Sequence, residues 1–306
     1  MKWSISAHNL FRKCQRAYFF AHIMANHSRK NALRREAYIL RQLKSMYEWR
    51  GNLAHQTISN FYIPGLNNGT KIGFDELKEK GLELAKGQYD FSKEKCYRTT
   101  EDAKTNIGLG YGALLCHERS DYSGLTYNNV CQHLEESFLN LTKNSNIHQI
   151  LDKGSRYLAE TNIPFKIDNT SVSAIADLII KTPDNKIILV DWKIAESLTS
   201  DYSLQLLVYS LGLLKKWNNV SIDDIEAYEI NLLKNKVTNH TITTDKMSEI
   251  EDFILLSASE IESLTEGEKY DLSMLKDFSY ARTEKSCRMC KFRTLCTRLT
   301  NGKSSF

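Results

Sequence analysis

Apolar side chains recur at helical spacing through the first half of the chain. The i, i+3, i+4 spacing of an amphipathic helix occurs over residues 11–23, 37–61, 74–84 and 130–141. We therefore predict that residues 1–150 are mostly helical.

The pattern changes after residue 155, where short runs rich in β-branched residues follow one another. Three such runs predict strands, namely YLAETNIPFKI at 157–167, SVSAIADLIIK at 171–181 and KIILVDWKIA at 186–195. Turn residues separate the runs at 168–169 and 183–185. A helix is predicted over 203–217, a strand pair at 225–233 and 236–244, and further helices over 246–264 and near Leu272.

This order of elements predicts an α/β fold in which helices flank a central sheet. We divide the chain into an N-terminal helical arm (1–150), an α/β core (151–245) and a helical C-terminal segment (246–306). The arm contains Cys14 and His55, and the last segment contains three closely spaced cysteines. No Pro-rich or Gly/Ser-rich linker separates the three.

Composition and charge restrict the function only weakly. The 306 residues carry a net charge of +4, with a pI near 8.5, which permits a polyanionic partner but does not require one. A basic stretch on one predicted helix either contacts phosphates or forms a solvated face; it contains Arg29, Lys30, Arg34, Arg35, Arg41 and Lys44. The sequence shows neither a signal peptide nor an apolar run long enough to span a membrane, so we expect a cytoplasmic protein with no membrane partner.

Three charged residues interrupt the predicted strands. Asp177 lies within AIADLII, and Asp191 and Lys193 close IILVDWK. Residues two apart on a strand project from the same face, so Asp191 and Lys193 should point together. Taken alone, this pair would be a salt bridge at a strand end. Its position after an Asp-bearing strand and before a helix with Gln205 and Tyr209 four residues apart favours a functional site.

In order and approximate spacing, these pieces resemble the PD-(D/E)XK nuclease superfamily, and within it the RecB-like and AddB-like branch that includes the CRISPR-adaptation exonucleases. The residues that carry the resemblance are Gly51 and His55 in GNLAH, Asp177 in AIAD, Asp191 and Lys193 in VDWK, and Gln205 with Tyr209 in QLLVY. Ala174 stands where that branch usually has glycine, which is a small-for-small change. The resemblance implies a restriction-endonuclease-like fold and a metal-dependent DNA nuclease.

The resemblance also implies roles for the individual residues. The catalytic residues would be Asp177, Asp191, Lys193, Gln205 and Tyr209, and the metal ligands would be His55, Asp177, Asp191 and the backbone carbonyl of Trp192. Oxygen ligands suit Mg²⁺ or Mn²⁺, and a histidine favours Mn²⁺. Without the resemblance, His55 and Tyr209 would be interpreted as ordinary helix residues. Glu160 is either a further carboxylate near the metal or simply exposed.

The cysteines suggest a second metal centre. Cys287, Cys290 and Cys296 form C-x2-C-x5-C, and Cys14 can supply a fourth ligand from 273 residues before Cys287 (287 − 14 = 273). Zinc and an iron-sulfur cluster both accept four thiolates. The RecB/AddB-like layout, with one cysteine upstream and three downstream, implies a [4Fe-4S] cluster. Three more cysteines are predicted to be small buried helix residues without a function: Cys96, Cys116 and Cys131.

The first hypothesis is therefore a Mg²⁺- or Mn²⁺-dependent exonuclease acting on DNA ends or single strands, in DNA repair, recombination or antiviral defence. A helicase or a CRISPR or defence protein is the expected partner, because the chain lacks the phosphate-binding loop of a helicase. The alternatives are a non-catalytic nucleic-acid-binding subunit and a redox sensor whose cluster regulates DNA affinity.

Overall fold

The computed structural model describes residues 1–25, 31–99, 107–197, 203–265 and 272–300. The chain forms two compact units that do not follow the order of the sequence. The first consists of Met1–Lys2, Met46–Gly87 and Leu125–Leu255, and the second of Trp3–Ser45, Gln88–Gly124 and Leu256–Phe306. The helical arm expected over 1–150 is thus divided between the two units, and the helices of 46–87 belong to the same unit as the sheet.

Ten α-helices lie before the sheet in the described part of the chain, and two of the four periodic stretches, 11–23 and 37–61, are divided among several of them. They are α1 (Ile5–Lys13), α2 (Gln15–Tyr18), α3 (Ala32–Gln42), α4 (Met46–Thr57), α5 (Ile63–Asn67), α6 (Phe74–Lys93), α7 (Cys96–Thr99), α8 (Leu115–Glu118), α9 (Tyr127–Lys143) and α10 (Ser145–Leu151). Two segments are π-helical, Phe19–Met24 and Ile58–Tyr62, and Gly108–Gly110 is a 3₁₀ turn.

The single helices predicted over 37–61 and 11–23 are wrong. In the first, the backbone at Leu43 is extended, with ψ 138°, and Lys44 leaves the helix to exchange backbone hydrogen bonds with Ala113 and Leu115. In the second, Cys14 is extended, with φ −165°. Apolar periodicity continues through the break at Cys14, because residues on both sides of it are buried in the second unit, whereas the break near Leu43 falls where the chain passes from the second unit to the first.

A five-stranded mixed sheet forms the centre of the first unit. Its order is β2 (Arg156–Asn162), β5 (Ile175–Lys181), β6 (Ile187–Lys193), β7 (Ile225–Asn231) and β8 (Lys236–His240). Neighbours are antiparallel except β6 and β7, which are parallel. A smaller sheet has the order β1 (Lys2–Trp3), β4 (Thr170–Val172) and β3 (Phe165–Ile167). The predicted fold class, a mixed sheet flanked by helices, is confirmed.

The first two predicted β-runs each divide into two strands. The run over 157–167 gives β2 and β3, because Pro164 has no N–H with which to continue the ladder. Ile163 makes the last connection by donating its N–H to the carbonyl of Ala174, at 2.8 Å. The predicted turns are present: Asp168 and Asn185 both have positive φ, 48° and 64°, which Asp and Asn adopt more readily than other side chains.

Further helices follow β6 along the chain. They are α11 (Ser203–Lys216), α12 (Thr244–Ser263), α13 (Glu284–Arg288) and α14 (Arg293–Thr300), with 3₁₀ turns at Ile222–Asp224 and Leu272–Asp277. The crossover from β6 to β7 contains α11, because parallel neighbours cannot be joined by a tight turn. None of the described helices is both long and apolar enough to cross a bilayer.

The interiors of β5 and β6 are apolar on both faces. Leu178, Ile179 and Ile180 are fully buried, as are Ile188 and Leu189. Strands with both faces covered lose the polar alternation of a half-exposed sheet. This explains why the two aspartates stand out in the sequence, since each lies where such an apolar run begins or ends.

Two helical glycines provide a test of how α11 packs. A Cβ on Gly212 would lie 2.9 Å from Ile163 and 3.0 Å from Phe165, whereas one on Gly87 in α6 would meet nothing within 4 Å. Gly87→Ala should stabilise the protein by up to about 1 kcal/mol through helix propensity. Gly212→Ala should instead destabilise it, because overpacking costs about 1–3 kcal/mol. Urea unfolding of both variants measures the difference, and equal stabilisation by the two would contradict this packing.

Candidate active site

The site forms where the β5–β6 ladder stops. The strands pair from Lys181 and Ile187 as far as Leu178 and Val190. One step further, the side chain of Asp177 replaces the backbone partner, and its Oδ2 accepts a hydrogen bond from the N–H of Trp192 at 2.9 Å. Asp177 is therefore fixed where the ladder ends, and it is only 8% exposed.

Helix α4 adds His55 to this point. His55 Nε2 donates to the carbonyl of Trp192 at 3.0 Å, while Nδ1 lies 3.5 Å from Asp177 Oδ1 and 3.6 Å from Glu160 Oε1. The ligand atoms of His55, Asp177 and Glu160 all lie within 4.8 Å of one another, which no other trio of His, Cys, Asp and Glu achieves in the described chain. The carbonyl of Trp192, which the sequence analysis predicts as a metal ligand, accepts this hydrogen bond from the histidine.

Glu160 lies beside His55 and Asp177 because its backbone has an unusual conformation. The register of β2 and β5 places it opposite Asp177, but its φ is +46°, in the left-handed region. That conformation is costly for a side chain with a Cβ and recurs at functional sites. Of the two interpretations of Glu160, simple exposure and proximity to a metal, the contacts favour the second.

A proton on His55 offsets part of the negative charge of this trio. Burial alone would lower the pKa of His55, but the carboxylates of Asp177 and Glu160 raise it to about 10. Burial would likewise raise the pKa of Asp177, but the His55 imidazolium and the Lys193 ammonium hold it below its usual value. In the metal-free protein at neutral pH, His55 therefore carries a proton between two carboxylates.

A second chain of contacts runs from Asp191 to Tyr209. Lys193 Nζ lies 2.5 Å from Asp191 Oδ2 and donates to Gln205 Oε1 at 3.0 Å. Gln205 Nε2 in turn donates to the hydroxyl of Tyr209. The predicted common face of Asp191 and Lys193 is thus observed. Gln205 and Tyr209 lie one turn apart on α11, and both join this chain of contacts.

Asp191 is a fully buried carboxylate. Burial and the nearby charge of Asp177 raise its pKa to about 7, despite the opposing effect of Lys193. Its Oδ1 has no hydrogen-bond partner among the residues that the structure describes. A buried carboxylate oxygen without a partner is costly, so this atom fits an absent ligand such as a cation.

The sequence analysis missed Arg50, which is 3% exposed. Its Nη2 donates to the carbonyl of Ile194 at 2.6 Å, and its Nη1 contacts Glu196 Oε1 at 3.0 Å and His133 Nδ1 at 2.6 Å. Burial and the Arg50 charge lower the pKa of His133, so its neutral ring can accept this bond. A signal was present in the sequence: Arg50 lies on the apolar face of α4, between Trp49 and Leu53.

The cysteines predicted to bind a cluster all line one cavity of the second unit, of about 210 Å³. They are Cys14, Cys287, Cys290 and Cys296. Within the described residues, no three of their sulfurs lie within 4.8 Å of one another. Burial, together with the neighbouring cysteines, raises the pKa of Cys290 to about 11. The cavity therefore brings the four together without forming a closed site.

The remaining sequence candidates give mixed results. The three cysteines expected to be buried lie on helices but are partly exposed: Cys96, Cys116 and Cys131. Two arginines of the basic stretch donate to backbone carbonyls, Arg34 to Met24 and Arg41 to Ala21. Its first two members, Arg29 and Lys30, lie outside the described residues.

The chain belongs to the PD-(D/E)XK nuclease superfamily, whose family model matches residues 2–297. This membership indicates a metal-dependent nuclease. Among solved structures, one described as "Crystal structure of SSO0001" is 14% identical, with 56% of this chain and 73% of that chain covered and a TM-score of 0.28. A likeness that low carries no argument about function. No curated protein matches the chain.

Substitution of Arg50 tests how the site is held. Arg50→Met removes the donor to the Ile194 carbonyl, and an unsatisfied buried acceptor costs about 1–3 kcal/mol. Glu196→Gln removes a partner whose side chain is 49% exposed and should change stability little. Unfolding in urea measures both variants. If Arg50→Met were as stable as the wild type, Arg50 would not fix the end of β6.

Proposed function

We propose that the chain is a Mg²⁺- or Mn²⁺-dependent deoxyribonuclease that acts as an exonuclease on DNA ends or single strands. Family membership indicates the nuclease class. The observation that carries the proposal is the convergence of His55, Glu160 and Asp177 beside the partnerless oxygen of buried Asp191.

The ligand set fits a hard divalent cation. Carboxylate oxygens come from Asp177, Asp191 and Glu160, and His55 adds an imidazole nitrogen, a combination that suits Mg²⁺ and, with the nitrogen, Mn²⁺. Of the two His55 nitrogens, Nδ1 faces the carboxylates and would be the ligand, after losing its proton. We assign the Trp192 carbonyl to orienting that ring through Nε2, as commonly seen for metal-binding histidines.

When bound, such a cation supplies a water molecule acidic enough to give hydroxide near neutral pH. The chain's own residues then neutralise the charge that develops on the phosphate and hold the neutralising group in position. Lys193 presents its ammonium to the phosphate, where negative charge develops as the diester is cleaved. Gln205 fixes Lys193 by accepting its hydrogen bond, and Tyr209 fixes Gln205. Both act as positioning residues in this scheme.

For the second centre we propose a [4Fe-4S] cluster held by Cys14, Cys287, Cys290 and Cys296. The shared cavity supports it. Four thiolates on one zinc ion would lie about 3.8 Å apart, given Zn–S bonds of about 2.3 Å. Among the described residues no three of these sulfurs lie within 4.8 Å of one another, and a cubane allows wider spacing because each thiolate binds a different iron. With this cluster, we propose that the chain is a member of the RecB/AddB-like branch.

The same resemblance supports a role in DNA repair, recombination or antiviral defence in the cytoplasm, with a helicase or a CRISPR or defence protein as partner. Such a partner would supply the strand separation for which this chain has no motif. The rival function, a non-catalytic nucleic-acid-binding subunit, makes no use of the Asp191–Lys193–Gln205 chain.

Cleavage of labelled DNA tests the nuclease. With Mg²⁺ or Mn²⁺, the wild type should digest linear single-stranded DNA and spare circular DNA. Asp191→Asn should reduce the rate by at least about 100-fold, on the scale of losing one catalytic group. Asp184→Asn, in the exposed β5–β6 turn, is the matched control and should retain the rate. Binding without cleavage under either metal would favour the non-catalytic subunit, and undiminished activity of Asp191→Asn would remove the proposed site.

Iron and acid-labile sulfide analysis after anaerobic purification tests the cluster. We expect both elements in the ratio of a [4Fe-4S] centre, with a broad visible absorption band that is lost on oxidation. Cys14→Ser should lose most of the iron, whereas Cys131→Ser, which changes a cysteine of α9 in the other unit, should keep it. A wild-type protein that contains zinc and no iron would contradict the assignment.

A further inference from the structure

We propose that a polar pocket beside the metal-ligand trio binds one nucleobase of the substrate strand and prefers bases with an exocyclic amino group. The pocket has a volume of about 470 Å³, within the usual range for small-ligand sites. This inference rests on the proposed nuclease function, because the occupant is a nucleotide next to the one being cleaved.

The pocket shares two walls with the trio. One side is a polar stripe of α4 and the π-helical segment after it, and the other is the β2 backbone at Ala159 and Glu160. The stripe has helical spacing and consists of Asn52, His55, Gln56, Ser59 and Asn60. Because His55 and Glu160 belong to both, a strand whose phosphate lies at the trio would place an adjoining nucleotide in the pocket.

Hydrogen bonds along the stripe determine what it can recognise. Asn52 donates its amide to the carbonyl of Glu48 at 2.7 Å, and Asn60 donates to the carbonyl of Gln56 at 2.8 Å. Asn60 also donates to Ser59 Oγ at 3.2 Å, so both of its N–H groups are used and its carbonyl oxygen is left as an acceptor. The carbonyl oxygen of Asn52 is likewise an acceptor. Glu160 adds a carboxylate, 46% exposed. The pocket is therefore rich in acceptors.

Hydrogen-bonding capacity decides which part of a nucleotide fits. No lysine or arginine is among the described residues that line the pocket, so a phosphate has no such cationic partner there. The amino group of adenine, cytosine or guanine would find acceptors. Thymine has no amino group, and its single N3–H donor lies between two carbonyl oxygens that would face the acceptors. Bases of single strands present these edges freely, which agrees with a single-stranded substrate.

The test uses single-stranded oligonucleotides with one varied base at successive positions near the cleaved end. With Mn²⁺, kcat/KM should be about tenfold higher for adenine or cytosine than for thymine at one position. A purine deoxyriboside residue, whose base is adenine without its amino group, should behave like thymidine there. Asn60→Ala should reduce the preference at that position to about twofold or less, while Mn²⁺ affinity by calorimetry stays unchanged.

The control is Asn128→Ala, an exposed asparagine of α9 outside the pocket, which should keep the wild-type profile. Cleavage without base preference at any position would overturn the pocket and leave the nuclease intact. Absence of any cleavage by the wild type would overturn the nuclease itself. If wild type bound two Mn²⁺ ions and Asn60→Ala bound one, the acceptors would hold a cation, and the base assignment would be wrong.

Discussion

The hydrogen bond from the Trp192 N–H to the Asp177 carboxylate is the contact on which the site depends. It takes over where backbone pairing between β5 and β6 stops. A buried strand end must satisfy its polar groups, and a side chain that supplies an acceptor allows the strands to part without leaving an orphan. At this end of β6 the charged side chains of Asp191 and Lys193 interrupt an otherwise apolar strand.

Helix α4 completes the same strand edge from the other side. The carbonyls of Trp192, in β6, and of Ile194, just after it, accept hydrogen bonds from His55 and Arg50, while the Lys193 carbonyl between them accepts one from Leu232 after β7. Every carbonyl at this end of β6 therefore has a donor. Helix α4 therefore both carries His55 and supplies the donors for the Trp192 and Ile194 carbonyls. The same packing of α4 against the end of β6 fixes the histidine and satisfies the backbone.

The fold class and the order of the strands could be predicted from the sequence, because apolar runs and turn residues are local signals. The same holds for Asp191 and Lys193, whose spacing fixes their common face. The breaks at Leu43 and Cys14 could not be predicted, since long-range pairing and packing decide them. The position of Glu160 beside Asp177 and His55 could not be predicted either. It depends on a left-handed backbone conformation within β2 and on the register between β2 and β5, which sets Glu160 opposite Asp177.

The proton that His55 holds between Asp177 and Glu160 has a consequence for the proposed metal site. The imidazolium offsets one of the two carboxylate charges, so the trio keeps a single net negative charge. A cation bound there, as proposed above, would have to displace this proton from the imidazole. The apparent affinity of the site for a cation would therefore fall as the pH falls.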